Sequence, residues 1–186
     1  MVKKIGWFVF IFLLVITVYA SATASMKKYT IDKGDHRSGL RYKPFRNKNT
    51  VNMAFRFDST AVYQLEDNDQ YDLNKLAGLA FGRSHHTNSA RICWRYNSEK
   101  KVVELFSYIY DDKNRAFTHI TDCEIGSECN ATIVVKDKTV EFTINDISKT
   151  FDKSKWPNWG YRLYPYFGGD RVAPHDISIW LDMKVE

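Results

Sequence analysis

Three features of this sequence predict an all-β fold built as an antiparallel β-sandwich or barrel. Beyond residue 50, apolar and polar residues alternate with period two in one stretch after another. These stretches recur at a spacing of about 8–12 residues, separated by turn-forming segments. No segment carries the i, i+3, i+4 apolar spacing of an amphipathic helix. With only four Pro and nine Gly, the chain is no low-complexity sequence.

The N-terminus is organised differently. Lys3 and Lys4 precede a 15-residue apolar run, Ile5 to Tyr19, and then the small residues Ala20, Ser21, Ala22, Thr23 and Ala24. Ala20-x-Ala22 and Ala22-x-Ala24 both suit signal peptidase, and the run is shorter than the ~20 residues of a membrane span. Residues 1–24 are therefore expected to be a signal peptide, which predicts a secreted, periplasmic or cell-envelope protein with no stable span after cleavage. The alternative is an uncleaved anchor. Without Lys3 and Lys4, 25 basic and 22 acidic residues remain, a net charge of +3. That is too mild for a nucleic-acid binder, which needs a concentrated basic patch.

Residues 25–49 are polar and basic with little periodicity and are expected to form an irregular arm; residues 50–186 form the sandwich domain. Val51, Met53, Phe55 and Phe57 open the alternation. Asp72 to Ala80 reads as a strand rather than a helical turn, because Gly78 and Phe81-Gly82 oppose a helix. Ala90–Asn97 and Val102–Tyr110 follow, then a strand after Asp111–Asn114. Val135 and Val140 flank a hairpin at Asp137-Lys138, and Ile177, Ile179, Leu181, Met183 and Val185 share one face of the last strand.

The middle hairpin permits a sharper inference. In the simplest register Asn97 faces Val102, so Arg95 faces Glu104, Cys93 faces Phe106 and Arg91 faces Tyr108. A third strand then sets Arg115 against Tyr110, Phe117 against Tyr108 and His119 against Phe106. Alternation fixes the two faces of each strand. Ile92, Trp94, Val103, Leu105, Ile109 and Ile120 make a core face. The opposite face holds Arg91, Arg95, Glu104, Tyr108, Tyr110, Phe117 and His119, a mixture suited to sugar: rings stack on it, while Arg, Glu and Tyr bond its hydroxyls. The competing reading is an Arg95–Glu104 pair and aromatic ladders that only stabilise the sheet.

Two further segments are dense in polar and special residues. Phe81–Arg91 contains His85, His86 and Asn88. Tyr164–Asp176 contains Tyr164, Tyr166 and Gly168-Gly169, a turn open to positive φ. Zinc lacks a spacing motif such as HExxH. Calcium is conceivable through Asp170, Asp176 and loop carbonyls, but no cofactor is expected. No Gly-x-Ser-x-Gly motif occurs, and Glu104 alone does not make the carboxylate pair of a glycosidase. A polysaccharide lyase would need a group that neutralises a uronate and a base, parts that Arg91, Asn88, His86, His119, Tyr108 and Tyr164 supply. Export favours oxidation, and Cys123 and Cys129 flank a Gly126-Ser127 turn, so these two are expected to pair, leaving Cys93 for strand packing. Asn130-Ala131-Thr132 is a sequon, relevant only in a eukaryotic secretory pathway.

The segments His85 to Tyr96, Tyr166 to Asp170 and Pro174 to Ile177 resemble those of an uncharacterised group of bacterial exported proteins. The strand pattern over Val51 to Val185 resembles the concanavalin-like jelly roll of lectins, glucanases and some polysaccharide lyases. This resemblance implies a concave sheet as the ligand face. Together these readings predict an exported, non-catalytic carbohydrate-binding jelly roll whose partner is a glycan or polysaccharide. Its expected contacts are Arg91, Arg95, Tyr108, His119, His86, Asn88, Tyr164 and Tyr166. A lyase of the same fold and a structural protein of the cell envelope are the alternatives.

Overall fold

The computed structural model describes residues 26–39, 42–66 and 68–186. The expected signal peptide lies outside the described residues. Two six-stranded antiparallel sheets face each other. The first runs in the order β1 (Lys27–Ile31), β12 (Ile177–Val185), β3 (Thr50–Phe57), β8 (Glu128–Val135), β9 (Thr139–Ile144), β10 (Ile147–Asp152). The second runs β2 (Pro44–Arg46), β11 (Trp159–Leu163), β4 (Asn74–Phe81), β5 (Ser89–Asn97), β6 (Val102–Asp111), β7 (Asn114–Cys123). The crossovers between sheets give a jelly-roll sandwich, in agreement with the predicted class.

The core lies between the sheets and is made by the alternating residues of both. Phe55, Phe57, Ile133 and Phe142 meet Ile92, Trp94 and Leu105, all fully buried. The Trp94 ring lies 5.0 Å from that of Phe57, one from each sheet. Burial of each such side chain contributes about 1.5–3 kcal/mol, so apolar contact across this layer dominates stability. The hairpin register read from the sequence is the observed one: Arg91 opposes Tyr108, Arg95 opposes Glu104, and Phe117 opposes Tyr108 from the other side. Asp112 and Lys113 turn β6 into β7 with φ of 46° and 69°, the positive-φ pair of a two-residue hairpin. A bulge between Leu105 and Phe106 takes up one extra β7 residue. Ile120 is thereby buried on the core side while His119 opposes Phe106.

The arm is the main departure. Residues 25–49 are not simply irregular, for they supply β1 and β2, an edge strand to each sheet. Only Ile31 of β1 is fully buried, and β2 has three residues. An edge strand with one neighbour needs few apolar side chains, so period-two alternation is absent from its sequence. The same reason hides β10, whose residues are nearly all exposed.

Cys123 and Cys129 form a disulfide between the end of β7 and the start of β8, linking the two sheets. Cys93 is free and buried on the outer side of the second sheet. Among the described residues no helix is long and apolar enough to cross a membrane.

Candidate functional site

Strand register arranges the outer face of the second sheet in rows. One row reads Leu163, Gly78, Arg91, Tyr108, Phe117 from β11 to β7. A second, two residues along, reads Tyr161, Ala80, Ser89, Tyr110, Arg115. Toward the other end Lys75 aligns with Cys93, Phe106 and His119. The face is walled by the chain after β11 and by Arg37, Ser38, Gly39 and Tyr42. Between these walls lies a cleft of about 740 Å³.

Arg91 is only 6% exposed. Its guanidinium lies 5.0 Å from the Tyr108 ring and 5.8 Å from Tyr110. Nη2 makes a long 3.5 Å bond to the carbonyl of His85, and Nε has no hydrogen-bond partner among the described residues. Lys75 Nζ sits 5.8 Å from each of the Tyr108 and Tyr166 rings. Burial first, then Arg91 and Arg115 nearby, hold its ammonium below the usual lysine range, against the opposing influence of Cys93 and Asp72. Among the described residues neither Arg91 nor Lys75 has an ion pair with a carboxylate, and no Asp or Glu lines the cleft.

The Tyr166 wall is fastened to β4. The Lys75 amide donates to the Tyr166 carbonyl at 2.8 Å, and the Tyr166 amide donates back at 2.9 Å. His36 stacks on the Tyr166 ring at 5.2 Å. Buried Asn74 accepts from the Gly168 amide at 2.7 Å and donates to Tyr63 Oη at 2.8 Å. A Cβ on Gly168 would lie 2.1 Å from the Leu73 carbonyl oxygen, so only glycine allows this approach. Of the Gly168-Gly169 pair, Gly169 alone takes positive φ, 74°. Tyr164 and Tyr166 thus line the cleft from the loop after β11.

His85 and His86 reach the cleft from the loop between β4 and β5. Tyr161 Oη lies 3.0 Å from both the His85 amide and its Nδ1. The Ser89 hydroxyl donates to the His85 carbonyl at 2.7 Å, fixing the loop. Burial, then the charges of Arg91 and other neighbours, push His85 down to about 4. The same causes lower His86. Neutral imidazoles therefore stand beside two cations at neutral pH.

Four of the expected contacts, Arg91, His86, Tyr164 and Tyr166, line this cleft, with Tyr108 packed directly beside Arg91. The others lie elsewhere. Arg95 is spent on Glu104, at 2.6 Å, and caps the Phe106 and Tyr71 rings. Burial alone would raise the Glu104 carboxyl, but donors from Asn97, Arg95 and Lys100 outweigh it and hold it at about 2. His119 bonds Asp122 at 2.7 Å. Asn88 accepts from the Asp112 amide at 3.1 Å, bracing a turn. The sequence reading missed Lys75, Arg37, Tyr42 and Tyr161. Lys75 had a legible signal, a lone charge inside the apolar run Leu73–Phe81; the rest are gathered only by folding.

Of the residues weighed for calcium, Asp176 accepts from the Lys33 amide at 2.8 Å. Among the described residues, Glu104, His119 and Asp122 have ligand atoms within 4.8 Å of one another. Glu104 there already carries Arg95 and Lys100 as counter-charges.

The fold is a concanavalin-like jelly-roll β-sandwich. Among solved structures the chain is similar to alginate lyase AlyC3, at 12% identity and TM-score 0.62, over 86% of this chain and 75% of that one. It is similar to alginate lyase A1-II′, a member of polysaccharide lyase family 7, at 13% identity and TM-score 0.53, over 78% of this chain. It is also similar to a family 16 glycoside hydrolase, an endo-glucanase from Bacteroides ovatus, at 9% identity and TM-score 0.50, over 87% and 80% of the two chains. The chain spans 64% of the length of alginate lyase A1-II′. At these identities the likeness is one of fold. No protein-family model matches the chain, and no curated protein matches it in sequence.

Proposed function

We propose that this protein is exported and binds a uronate-bearing polysaccharide in the cleft on the outer face of its second sheet, with Arg91 and Lys75 receiving the carboxylates. The observation that carries this reading is a buried Arg91 and a half-buried Lys75 held against aromatic rings, neither with an ion pair to a carboxylate among the described residues. A buried charge without a counter-charge is destabilising, and a ligand carboxylate supplies the missing partner through charge-assisted bonds. Tyr164 and Tyr166 offer rings to the apolar faces of the sugar. A cleft without carboxylates does not support glycoside hydrolysis, which needs two. The names of the two similar alginate lyases, alginate being a polyuronate, agree with this ligand class.

One observation favours a second reading, β-elimination on the same ligand: His85, held neutral, shares a 3.0 Å contact with Tyr161 Oη beside the two cations. Neutralising the uronate carboxylate acidifies the C5 proton. An imidazole nitrogen takes that proton, the C4–O bond breaks, the C4–C5 double bond forms, and a tyrosine hydroxyl protonates the departing oxygen. The test is calorimetric titration with alginate, pectate, a uronate-containing glycosaminoglycan and a neutral β-glucan, with ultraviolet absorbance of the unsaturated uronate followed in parallel. Uronate binding without new absorbance supports the binder; new absorbance supports the lyase. Preference for the neutral glucan over every uronate would sink both.

A further inference from the structure

The rows across the second sheet extend beyond the cleft. From Arg91 on β5 the row continues to Tyr108 on β6 and ends at Phe117 on β7, the free edge of the sheet. Tyr108 and Phe117 stack nearly parallel, 6.2 Å apart with 13° between planes. Phe117 is 49% exposed, whereas Tyr108 across from it is buried. Arg115, two residues back on the same face, holds its guanidinium 5.9 Å from the Phe117 ring. It is exposed and has no ion pair among the described residues. The Arg91–Tyr108 arrangement, a ring with a guanidinium over it and no carboxylate, is thus repeated at the sheet edge.

We propose that Phe117 and Arg115 form a second polymer-binding subsite, taking a uronate unit further along the chain held at Arg91 and Lys75. This rests on the uronate reading of the cleft and deepens it: the ligand is a chain of several acidic units that crosses the strands, not a free sugar or a disaccharide. Adjacent strands lie about 4.8 Å apart, so β5 and β7 are roughly 10 Å apart. An extended pyranose polymer advances one unit in about one interstrand step, which sets the two cation–ring pairs about two units apart. The exposed ring and its cation lose little on the surface in the absence of ligand, so the subsite adds affinity without the folding cost that Arg91 carries.

The test compares the disaccharide and the hexasaccharide of one uronate polymer, binding to the full chain, its Arg115→Ala/Phe117→Ala variant and its Arg91→Ala variant. The protein should bind the hexasaccharide more tightly than the disaccharide. The edge variant should bind the disaccharide as the parent does and the hexasaccharide about tenfold more weakly, the factor carried by roughly 1.4 kcal/mol of stacking and charge contact. Arg91→Ala should weaken both. Unchanged hexasaccharide affinity in the edge variant overturns the subsite while leaving the cleft reading intact. Equal loss for both sugars also overturns it, since these residues would then belong to the first site. Failure of the parent to bind either sugar defeats the cleft reading itself. Arg115→Lys/Phe117→Trp, which keeps both the charge and the ring, should restore the chain-length preference.

Discussion

Replacing Arg91 by Met should stabilise the protein and weaken its binding of uronate polymer. The side chain is 6% exposed, and its Nε has no hydrogen-bond partner among the described residues. A buried donor left unsatisfied costs about 1–3 kcal/mol, more where it is charged. Against this stand two guanidinium–ring contacts, with Tyr108 and Tyr110, worth about 0.5–1 kcal/mol each. Met keeps the unbranched stem that packs on those rings and removes the charge. The net gain is about 1 kcal/mol, which in a domain of this size raises the melting temperature by roughly 2–4 °C. Thermal unfolding followed by circular dichroism, together with calorimetric titration of alginate or pectate, measures both quantities. The outcome that refutes the reasoning is a variant that melts several degrees lower yet binds the polymer unchanged. The guanidinium would then be a structural element of the sheet, not a charge held for a ligand.

Three further outcomes follow from the geometry. The Glu104 carboxyl sits at about 2, below its ordinary 4.5, so its stabilisation is complete above the unfolded value and is lost as pH falls from about 4.5 toward 2. Glu104→Gln should lower stability at neutral pH by on the order of 3 kcal/mol and flatten the acid limb; an unchanged limb refutes the assignment. His85, depressed to about 4, is neutral in the folded state down to that pH, so its contribution is present above about 6.5 and lost as pH falls toward 4. Its imidazole resonance in NMR should titrate near 4, and a midpoint near 6.5 would contradict its burial against Tyr161. Cys123→Ser/Cys129→Ser should reduce stability by about 2 kcal/mol through the opened short loop; chemical denaturation measures this, and no change would mean that the β7–β8 connection is held by packing alone.

Alternation in Val51–Phe57, Ala90–Tyr96, Val103–Ile109 and Ile177–Val185 was enough to establish an all-β chain and to separate core from outer face. These strands are central, each buried on at least one side, and burial is what writes period two into a sequence. The hairpin register was legible for the same reason, helped by short turns that leave little freedom. Lys27–Ile31, Pro44–Arg46 and Ile147–Asp152 were not legible as strands, because edge strands bury little and carry no such pattern.

The sequence by itself determined that Arg91, Tyr108, Arg95, Glu104 and His119 share one side of a sheet. Tertiary structure decided which of them act together. Arg95 is paired with Glu104, and His119 is hydrogen-bonded to Asp122. Among the described residues Arg91 has no carboxylate partner, and it is joined by Lys75 from β4, His85 from a loop and Tyr166 from the chain beyond β11. Alternation fixes the side of a sheet on which a residue lies, a local property of the pleat. The presence or absence of a counter-charge beside it depends on segments that are distant in sequence and meet only in the folded chain.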